Sequence, residues 1–288
     1  DFKCVSDKME EIPESIVKKM GMNFPEIHTK AEYMATLSKE LKEYKKDILC
    51  RVPFCNTVEA EALGGNIKLG DAKAGPRVES YAFNSIDELM EIGEIDLTQR
   101  RINEVLKAVE ILSSKGETVV LNVIGPFTII TSLVDSRIFY KAMRKNKEMV
   151  YDFLKIIEDN IVKYMEEGIS RGAKMISYAE PVGAKGIVGP KVYKDFSGNS
   201  SYNILKNMED KLGSSIMHIC GKTSTALQSM EFIQSHPLKF EENVSYGYAI
   251  DYILKNRKDI NIIGHNCIKK TPLKLKNSTL WSIEFMGQ

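Results

Sequence analysis

Apolar residues recur along the chain with two different periods, and each period predicts a different kind of element. Residues 29–46 and 98–114 carry apolar side chains three and four positions apart with charged residues between them, as on an amphipathic helix. A Gly- and Pro-rich stretch between the two predicts loops. Helical spacing also predicts helices at 12–20, 127–145, 147–170, 191–212, 223–234 and 247–257.

Short apolar runs alternate with these helices from residue 118 onward. Near-continuous apolar runs are typical of strands that are covered on both faces. The predicted strands are TVVLNVIG, AKMISYAEP, SSIMHICG, PLKFEENVS and INIIGHNC. Several strand–helix units in one chain predict an α/β fold with a parallel sheet, and they favour a (β/α)8-type TIM barrel over an open sheet.

The two ends of the chain depart from this alternation. Polar and apolar residues alternate on both sides of Lys276-Asn277-Ser278, which predicts a C-terminal hairpin after the last barrel strand. Residues 1–84 are expected to form helices and a loop that cap the barrel. Since 288 residues is a normal length for one α/β barrel, we expect residues 1–288 to form a single domain.

Composition narrows the functional classes. The 40 Lys and Arg residues nearly balance the 39 Asp and Glu residues, so charge gives no reason to expect a nucleic-acid partner. No apolar run approaches the roughly 20 residues that span a bilayer, and we expect no membrane association. The five cysteines are odd in number and irregularly spaced, which is a poor disulfide framework and favours the reducing cytoplasm.

Reactive residues stand at the carboxyl ends of the predicted strands, where the loops of a parallel barrel form the active-site face. His218 and Cys220 are two apart on one strand and project from the same face, and Cys267 ends another strand. Zinc prefers imidazole and thiolate ligands, and a catalytic zinc keeps its fourth position open. The spacing alone equally fits a buried histidine with a hydrogen-bond partner and cysteines that act as small core residues.

Further candidates lie near the same edge. Glu180 ends a strand and is a candidate general acid or base, a partner of a metal ligand, or a structural cap. Tyr178 shares the face of Glu180 and is expected to line the pocket or fill the barrel interior. The amides of Gly125, Phe127 and Thr128 open a helix and are candidates for binding an anionic substrate group, with a simple turn capped by Thr128 as the alternative.

The segment VEAE carries two glutamates, Glu59 and Glu61, which do not share a helix face, so at most one of them is expected to reach the site. We take Glu59 as the substrate-binding candidate. His265 repeats the His-x-Cys spacing with Cys267, and a role other than metal ligand is the preferred interpretation. Cys50 and Cys55 are interpreted as structural.

Several motifs together resemble a known family. They are HICGKTSTAL at 218–227, PFCNTVEAEALGG at 53–65, GPRV at 75–78, GPFT at 125–128, RGAKMISYAEPVG at 171–183 and GHNCIKKTPL at 264–273. In this order they are similar to the methylcobalamin:coenzyme M methyltransferases of the uroporphyrinogen decarboxylase superfamily. The resemblance runs from about residue 50 to 275.

The resemblance implies that His218, Cys220 and Cys267 hold zinc, with a corrinoid as co-substrate. It implies that the metal binds a substrate thiol such as coenzyme M, and that the thiolate takes a methyl group from methyl-cobalt(III). The barrel mouth would then dock a small corrinoid-binding protein. Demethylation of a methoxylated aromatic or a methylamine-type donor onto the corrinoid uses the same parts and is an alternative.

The chain departs from the family pattern in two places. The stretch between Cys220 and Cys267 is about one βα unit shorter than expected, so either the barrel is shortened near its C-terminus or residues are absent there. Glu180 stands where Asp is more usual. Metal-free decarboxylation of a tetrapyrrole is a further alternative, although the Arg-rich motif of that branch is not recognisable. The last alternative is a non-catalytic barrel that binds a corrinoid protein.

Overall fold

The computed structural model describes residues 12–241 and 243–287. The strands are β1 (Leu49–Val52), β2 (Asn66–Lys68), β3 (Arg77–Ser80), β4 (Thr118–Ile124), β5 (Met175–Ala179), β6 (Ile216–Ile219), β7 (Ile233–Lys239), β8 (Ile262–Gly264) and β9 (Thr279–Phe285). The helices are α1 (Glu14–Lys19), α2 (Phe24–Ile27), α3 (Ala31–Lys45), α4 (Val58–Ala62), α5 (Ile86–Met90), α6 (Arg100–Ser114), α7 (Pro126–Leu133), α8 (Ser136–Lys145), α9 (Lys147–Ser170), α10 (Lys185–Val188), α11 (Pro190–Val192), α12 (Gly198–Met208), α13 (Gly221–Ser229) and α14 (Tyr246–Asn256).

Seven strands form one sheet in the order β1-β4-β5-β6-β8-β9-β7. The first five of these pair in parallel, and helices connect them. The α/β class and the barrel-type parallel sheet predicted from the sequence are confirmed. β6 pairs directly with β8, so the stretch between them adds no strand to the parallel part of the sheet. This arrangement agrees with the shortening predicted before Cys267.

The two faces of the sheet bury different sets of side chains. On the outer face, residues such as Cys50, Leu121 and Met217 join the main core with the surrounding helices, and α3 lies in that layer beside α6. On the inner face, Leu49, Val120, Met175, Ile216 and Ile263 form a second cluster. Helix α14 contributes Ile250 and Ile253 to this second cluster and covers the inner face.

Two strand predictions require correction. The strand predicted in PLKFEENVS lies earlier, at Ile233–Lys239, and is antiparallel to β9 rather than part of the parallel set. The alternating C-terminal residues do form a strand, β9, but it pairs with β7 and β8 instead of forming the predicted local hairpin. Residues before it contribute a single bridge, between Lys274 and Ser245.

In the part of the chain that the structure describes, none of the helices combines the length and the apolar character needed to cross a membrane. The cap predicted for residues 1–84 includes residues 1–11, which lie outside the described residues.

Candidate metal and substrate site

His218 lies on the inner face of β6 and is completely buried. Ser177 of β5 stands beside it in register, and the Ser177 hydroxyl lies 3.0 Å from His218 Nδ1. The other ring nitrogen, Nε2, lies 3.2 Å from the carbonyl oxygen of Asn266. Both ring nitrogens therefore have polar neighbours that fix the orientation of the imidazole.

The two candidate cysteines follow neighbouring strands. Cys220 comes directly after β6, and Cys267 comes three residues after β8 and is 9% exposed. The backbone N–H of Gly221 donates to the carbonyl oxygen of Asn266 at 3.0 Å, which joins the two chain segments next to the cysteines. An added Cβ on Gly221 would come within 3.2 Å of the His265 backbone, so a small residue permits this close approach.

Tyr246, which no sequence motif singled out, packs beside His218. Its ring centroid is 6.3 Å from that of His218. Burial raises the pKa of its hydroxyl well above the usual range, and the nearby Cys267 and Cys220 raise it further. The only local signal is Ser245, whose hydroxyl accepts from the Tyr248 N–H and makes α14 begin at Tyr246.

One imidazole and two thiols are a donor set whose chemistry fits zinc. Across residues 12–241 and 243–287, no group of three His, Cys, Asp or Glu side chains is arranged to hold a metal ion. His218 Nε2 faces Asn266 in this arrangement, so a metal at Nε2 would replace that contact. The ligand set of His218, Cys220 and Cys267 stays a prediction.

The segment after Cys267 is held against β1 by a buried ion pair. Arg51 pairs with Asp47, and their side chains are 5% and 1% exposed. The Arg51 guanidinium also donates to the Ile268 carbonyl oxygen at 3.2 Å, and the Thr271 hydroxyl donates to Asp47 at 2.6 Å. These contacts fix the backbone one residue beyond Cys267, and we call Asp47, Arg51 and Thr271 the β1 anchor.

Glu180 is buried and caps the start of α7 from inside the protein. The N–H groups of Phe127, Thr128 and Gly183 donate to its carboxylate at 2.8, 3.1 and 3.1 Å. The Thr128 hydroxyl donates at 2.5 Å. Burial raises the pKa of this carboxyl, and the hydrogen bonds oppose the rise only in part. The helix start predicted to face an anion does so, but the anion is the protein's own carboxylate.

Tyr178 and Gly125 belong to the same buried assembly. In the parallel register Tyr178 pairs with Ile219, and both belong to the outer core, so Tyr178 lies on the face opposite His218. Its hydroxyl lies 2.9 Å from the Ser201 hydroxyl. A Cβ on Gly125 would come within 2.5 Å of the Tyr178 hydroxyl and of Glu180. The structure thus groups Tyr178, Gly125, Phe127, Thr128 and Glu180 together, on the other side of the sheet from His218.

We predict that Glu180→Gln lowers the free energy of unfolding by about 2 kcal/mol, because an amide cannot accept all the hydrogen bonds that the carboxylate accepts. Chemical denaturation measures the change, and Glu94→Gln, whose side chain is 75% exposed, is the control. Unchanged stability together with a large loss of activity would instead indicate a general acid or base.

Glu59 is the buried member of the VEAE pair, while Glu61 is partly exposed and pairs with Arg101. The substrate-binding role of Glu59 stays a prediction. Glu59 Oε1 accepts from the Ile124 N–H at 3.0 Å, and Oε2 has no partner among the described residues. Burial raises the pKa of Glu59 to about 7. This carboxyl therefore exchanges a proton near neutral pH at the end of β4.

The raised pKa of Glu59 predicts a pH-dependent stability. The folded state binds this proton more tightly than the unfolded state, so the contribution is present at acid pH and is lost as pH rises from about 4.5 to about 7. Glu59→Gln removes the dependence, and above pH 7 the variant should be more stable than the parent by about 3 kcal/mol. Urea unfolding at several pH values measures this, with the exposed Glu32→Gln as control. Parallel pH profiles for parent and variant would contradict it.

The His265 side chain is buried against the hydroxyls of Ser235 and Thr225. Its residue adopts a left-handed backbone, with φ of 65°, which ends the regular alternation of β8. The ring nitrogens lie 2.6 Å from the Ser235 hydroxyl and 3.5 Å from the Thr225 hydroxyl. Burial lowers the pKa of His265 to about 4. These contacts agree with the preferred non-ligand interpretation.

The parallel sheet with flanking helices and a site at its carboxyl edge defines an α/β protein of the barrel class. The family profile of Uroporphyrinogen decarboxylase (URO-D) matches residues 6–268, and the chain belongs to this family. The family resemblance found in the sequence motifs is thereby confirmed.

Curated relatives within this family carry a common description. Methylcobamide:CoM methyltransferase MtbA of Methanosarcina acetivorans is 27% identical over 236 residues, 81% of this chain and 69% of that protein. MtaA of Methanosarcina barkeri, also a methylcobamide:CoM methyltransferase, is 27% identical over 234 residues, 80% of this chain and 68% of that protein. A solved methyltransferase from Methanosarcina mazei superposes with a TM-score of 0.64 at 24% identity and supports the fold. The match covers 75% of this chain and 65% of the solved chain, so this chain spans about two thirds of the length of these proteins.

Proposed function

We propose that this chain is a corrinoid-dependent methyltransferase that moves a methyl group between a corrinoid and a thiol held at zinc. The observation that carries the proposal is the pairing of β6 with β8, which brings the segment of His218 and Cys220 beside the segment of Cys267, with the Gly221 N–H donating to the Asn266 carbonyl oxygen. The names of the curated relatives support methyl transfer from methylcobamide, with coenzyme M as the thiol.

Each part of the site has a task in this proposal. Zinc bound by these three residues would favour the thiolate form of a substrate thiol near neutral pH. Ser177 orients the His218 ring through its contact with Nδ1. The β1 anchor holds the segment that carries Cys267. We assign Glu180 a positioning role, since its carboxylate is engaged by the start of α7.

The direct test combines metal analysis with an activity assay. We expect about one zinc per chain, and methyl transfer from methylcobalamin to coenzyme M or a related thiol, monitored by the absorbance change of the corrinoid. A panel of thiols that differ in length and in terminal charge defines the substrate. If the protein binds one zinc per chain but transfers a methyl group to no thiol, the acceptor is not a thiol. A protein without zinc would contradict the metal site.

The reverse direction uses the same site and is distinguished by the donor. If the chain demethylates a methoxylated aromatic or a methylamine-type compound, cob(I)alamin should be methylated in the presence of that donor and zinc. A small corrinoid protein is the partner that we propose in either direction, in the cytoplasm. Association with a purified corrinoid protein, measured by calorimetry, tests this partner.

A further inference from the structure

Two buried hydrogen-bond donors without partners lie at the candidate metal site. Among the residues that the structure describes, five buried side-chain polar atoms have no hydrogen-bond partner, and two of them are the Tyr246 hydroxyl and Asn266 Nδ2. A buried hydroxyl without a partner is destabilising, so it needs an explanation. Asn266 directly precedes Cys267, and Tyr246 contacts His218.

The Tyr246 ring lies beside His218, whose Nε2 contacts the carbonyl oxygen of Asn266, and Cys267 directly follows Asn266. Burial raises the pKa of the Tyr246 hydroxyl, and Cys267 and Cys220 act in the same direction. The residue is 3% exposed, so the hydroxyl has little access to solvent. A phenylalanine would fill nearly the same volume without a buried polar atom, so any advantage of tyrosine at this position comes from its hydroxyl.

The backbone around Tyr246 fixes its position. The Tyr246 N–H donates to the Leu273 carbonyl oxygen at 2.9 Å, and the Gly247 N–H donates to the Thr271 carbonyl oxygen at 2.8 Å. A Cβ on Gly247 would lie 3.1 Å from that Thr271 oxygen, so the close approach depends on glycine. Thr271 belongs to the β1 anchor, and the same anchor therefore positions Tyr246 and the segment of Cys267.

We infer that Tyr246 is a positioning residue that donates its O–H to the cysteine sulfur when the cysteines are thiolates bound to metal. The inference rests on the proposed zinc site. A hydrogen bond to a charged acceptor is stronger than one to a neutral acceptor, so the donor that has no partner in this structure gains one when the thiolates form. The hydrogen bond draws electron density from sulfur and leaves the metal a stronger Lewis acid toward the substrate thiol.

Cobalt(II) substitution of Tyr246→Phe tests the inference, since cobalt reports on thiolate ligands by absorption. We expect the sulfur-to-cobalt charge-transfer bands to move to lower energy in the variant. The intensity of the four-coordinate ligand-field bands should stay unchanged. Zinc affinity, measured by competition with a chromophoric chelator, should fall by about tenfold, the factor for the loss of one hydrogen bond to a charged group. The control is Tyr248→Phe, two residues along α14 and 54% exposed.

Two results would overturn the inference. If the charge-transfer bands and the zinc affinity of Tyr246→Phe are identical to those of the parent, Tyr246 does not donate a hydrogen bond to sulfur. A loss of the four-coordinate bands would make Tyr246 a metal ligand rather than a donor to sulfur. Tyr246→Phe removes only an oxygen without a partner, so its melting temperature should equal or exceed that of the parent. Tyr246→Met gives the same comparison if the phenylalanine variant does not fold.

The failure of the proposed function has a different signature. If the parent protein takes up neither cobalt nor zinc, the metal site itself is absent. The metal-free proteins then provide the test, through the rate at which iodoacetamide alkylates Cys220, followed by mass spectrometry. A donor to sulfur favours the thiolate, so the parent should react faster than Tyr246→Phe, and equal rates would overturn the inference.

Discussion

Cys220→Ala is expected to remove bound zinc and to lower the rate of methyl transfer to a thiol by about 10³-fold. Loss of one of three protein ligands weakens the metal site, and the metal is expected to supply several kcal/mol of activation, at 1.36 kcal/mol for each factor of ten. Atomic absorption of the purified variant and the methylcobalamin assay measure the two effects.

The matched control for this prediction is Cys50→Ala. Cys50 is a buried thiol, whereas Cys220 is partly exposed, and Cys50 lies on the outer face of β1 among the residues of the main core. The control variant should keep its zinc and its activity, with a loss of stability that is confined to packing. A Cys220→Ala protein that retains full zinc and full activity would contradict the ligand set.

Arg51→Met is expected to lower the free energy of unfolding by about 3–5 kcal/mol, because it leaves the Asp47 carboxylate buried without its cation. The side chain of Asp47 is 1% exposed, so solvent cannot replace the guanidinium. The variant also loses the hydrogen bond to the Ile268 carbonyl oxygen, so zinc affinity should fall together with stability.

Two further variants make this prediction specific. In Asp47→Leu/Arg51→Met the buried charges are replaced together, and stability should recover in large part. Lys155→Ala removes an exposed ion pair with Asp159 and should change stability by less than about 1 kcal/mol. Similar losses for Arg51→Met and the double variant would show that the ion pair is not the source of the effect.

The sequence was sufficient for those parts of the fold that depend on local pattern. The apolar period placed α6 and α9 within two residues of their observed bounds, and the apolar runs located β4, β5, β6 and β8. Strand alternation and the register together place His218 and Ser177 on the same face of the sheet. The convergence of strand ends at one edge also follows from parallel pairing alone.

The remaining features depend on register and on distant partners, which a single sequence does not contain. Tyr178 and Glu180 share a face with each other, but only the pairing of Tyr178 with Ile219 reveals that this face is the outer one. β9 pairs with β7, whose residues lie 40 (Lys239 and Thr279) to 52 (Ile233 and Phe285) positions earlier, and no local turn signal specifies this pairing. Tyr246 belongs to the inner-face cluster that α14 covers, and its neighbours in sequence do not reveal its position beside His218.

The capping of α7 by Glu180 has a consequence for how the protein meets charged molecules. A helix start offers a partial positive charge to an anion, and here an internal carboxylate already neutralises it. A sulfonate or carboxylate on an incoming substrate therefore gains nothing from α7, and its charge must be balanced by other groups around the mouth. Selection of a substrate by its charge would then depend on residues in the loops. The strands and helices could stay the same while the loops change which molecule is bound.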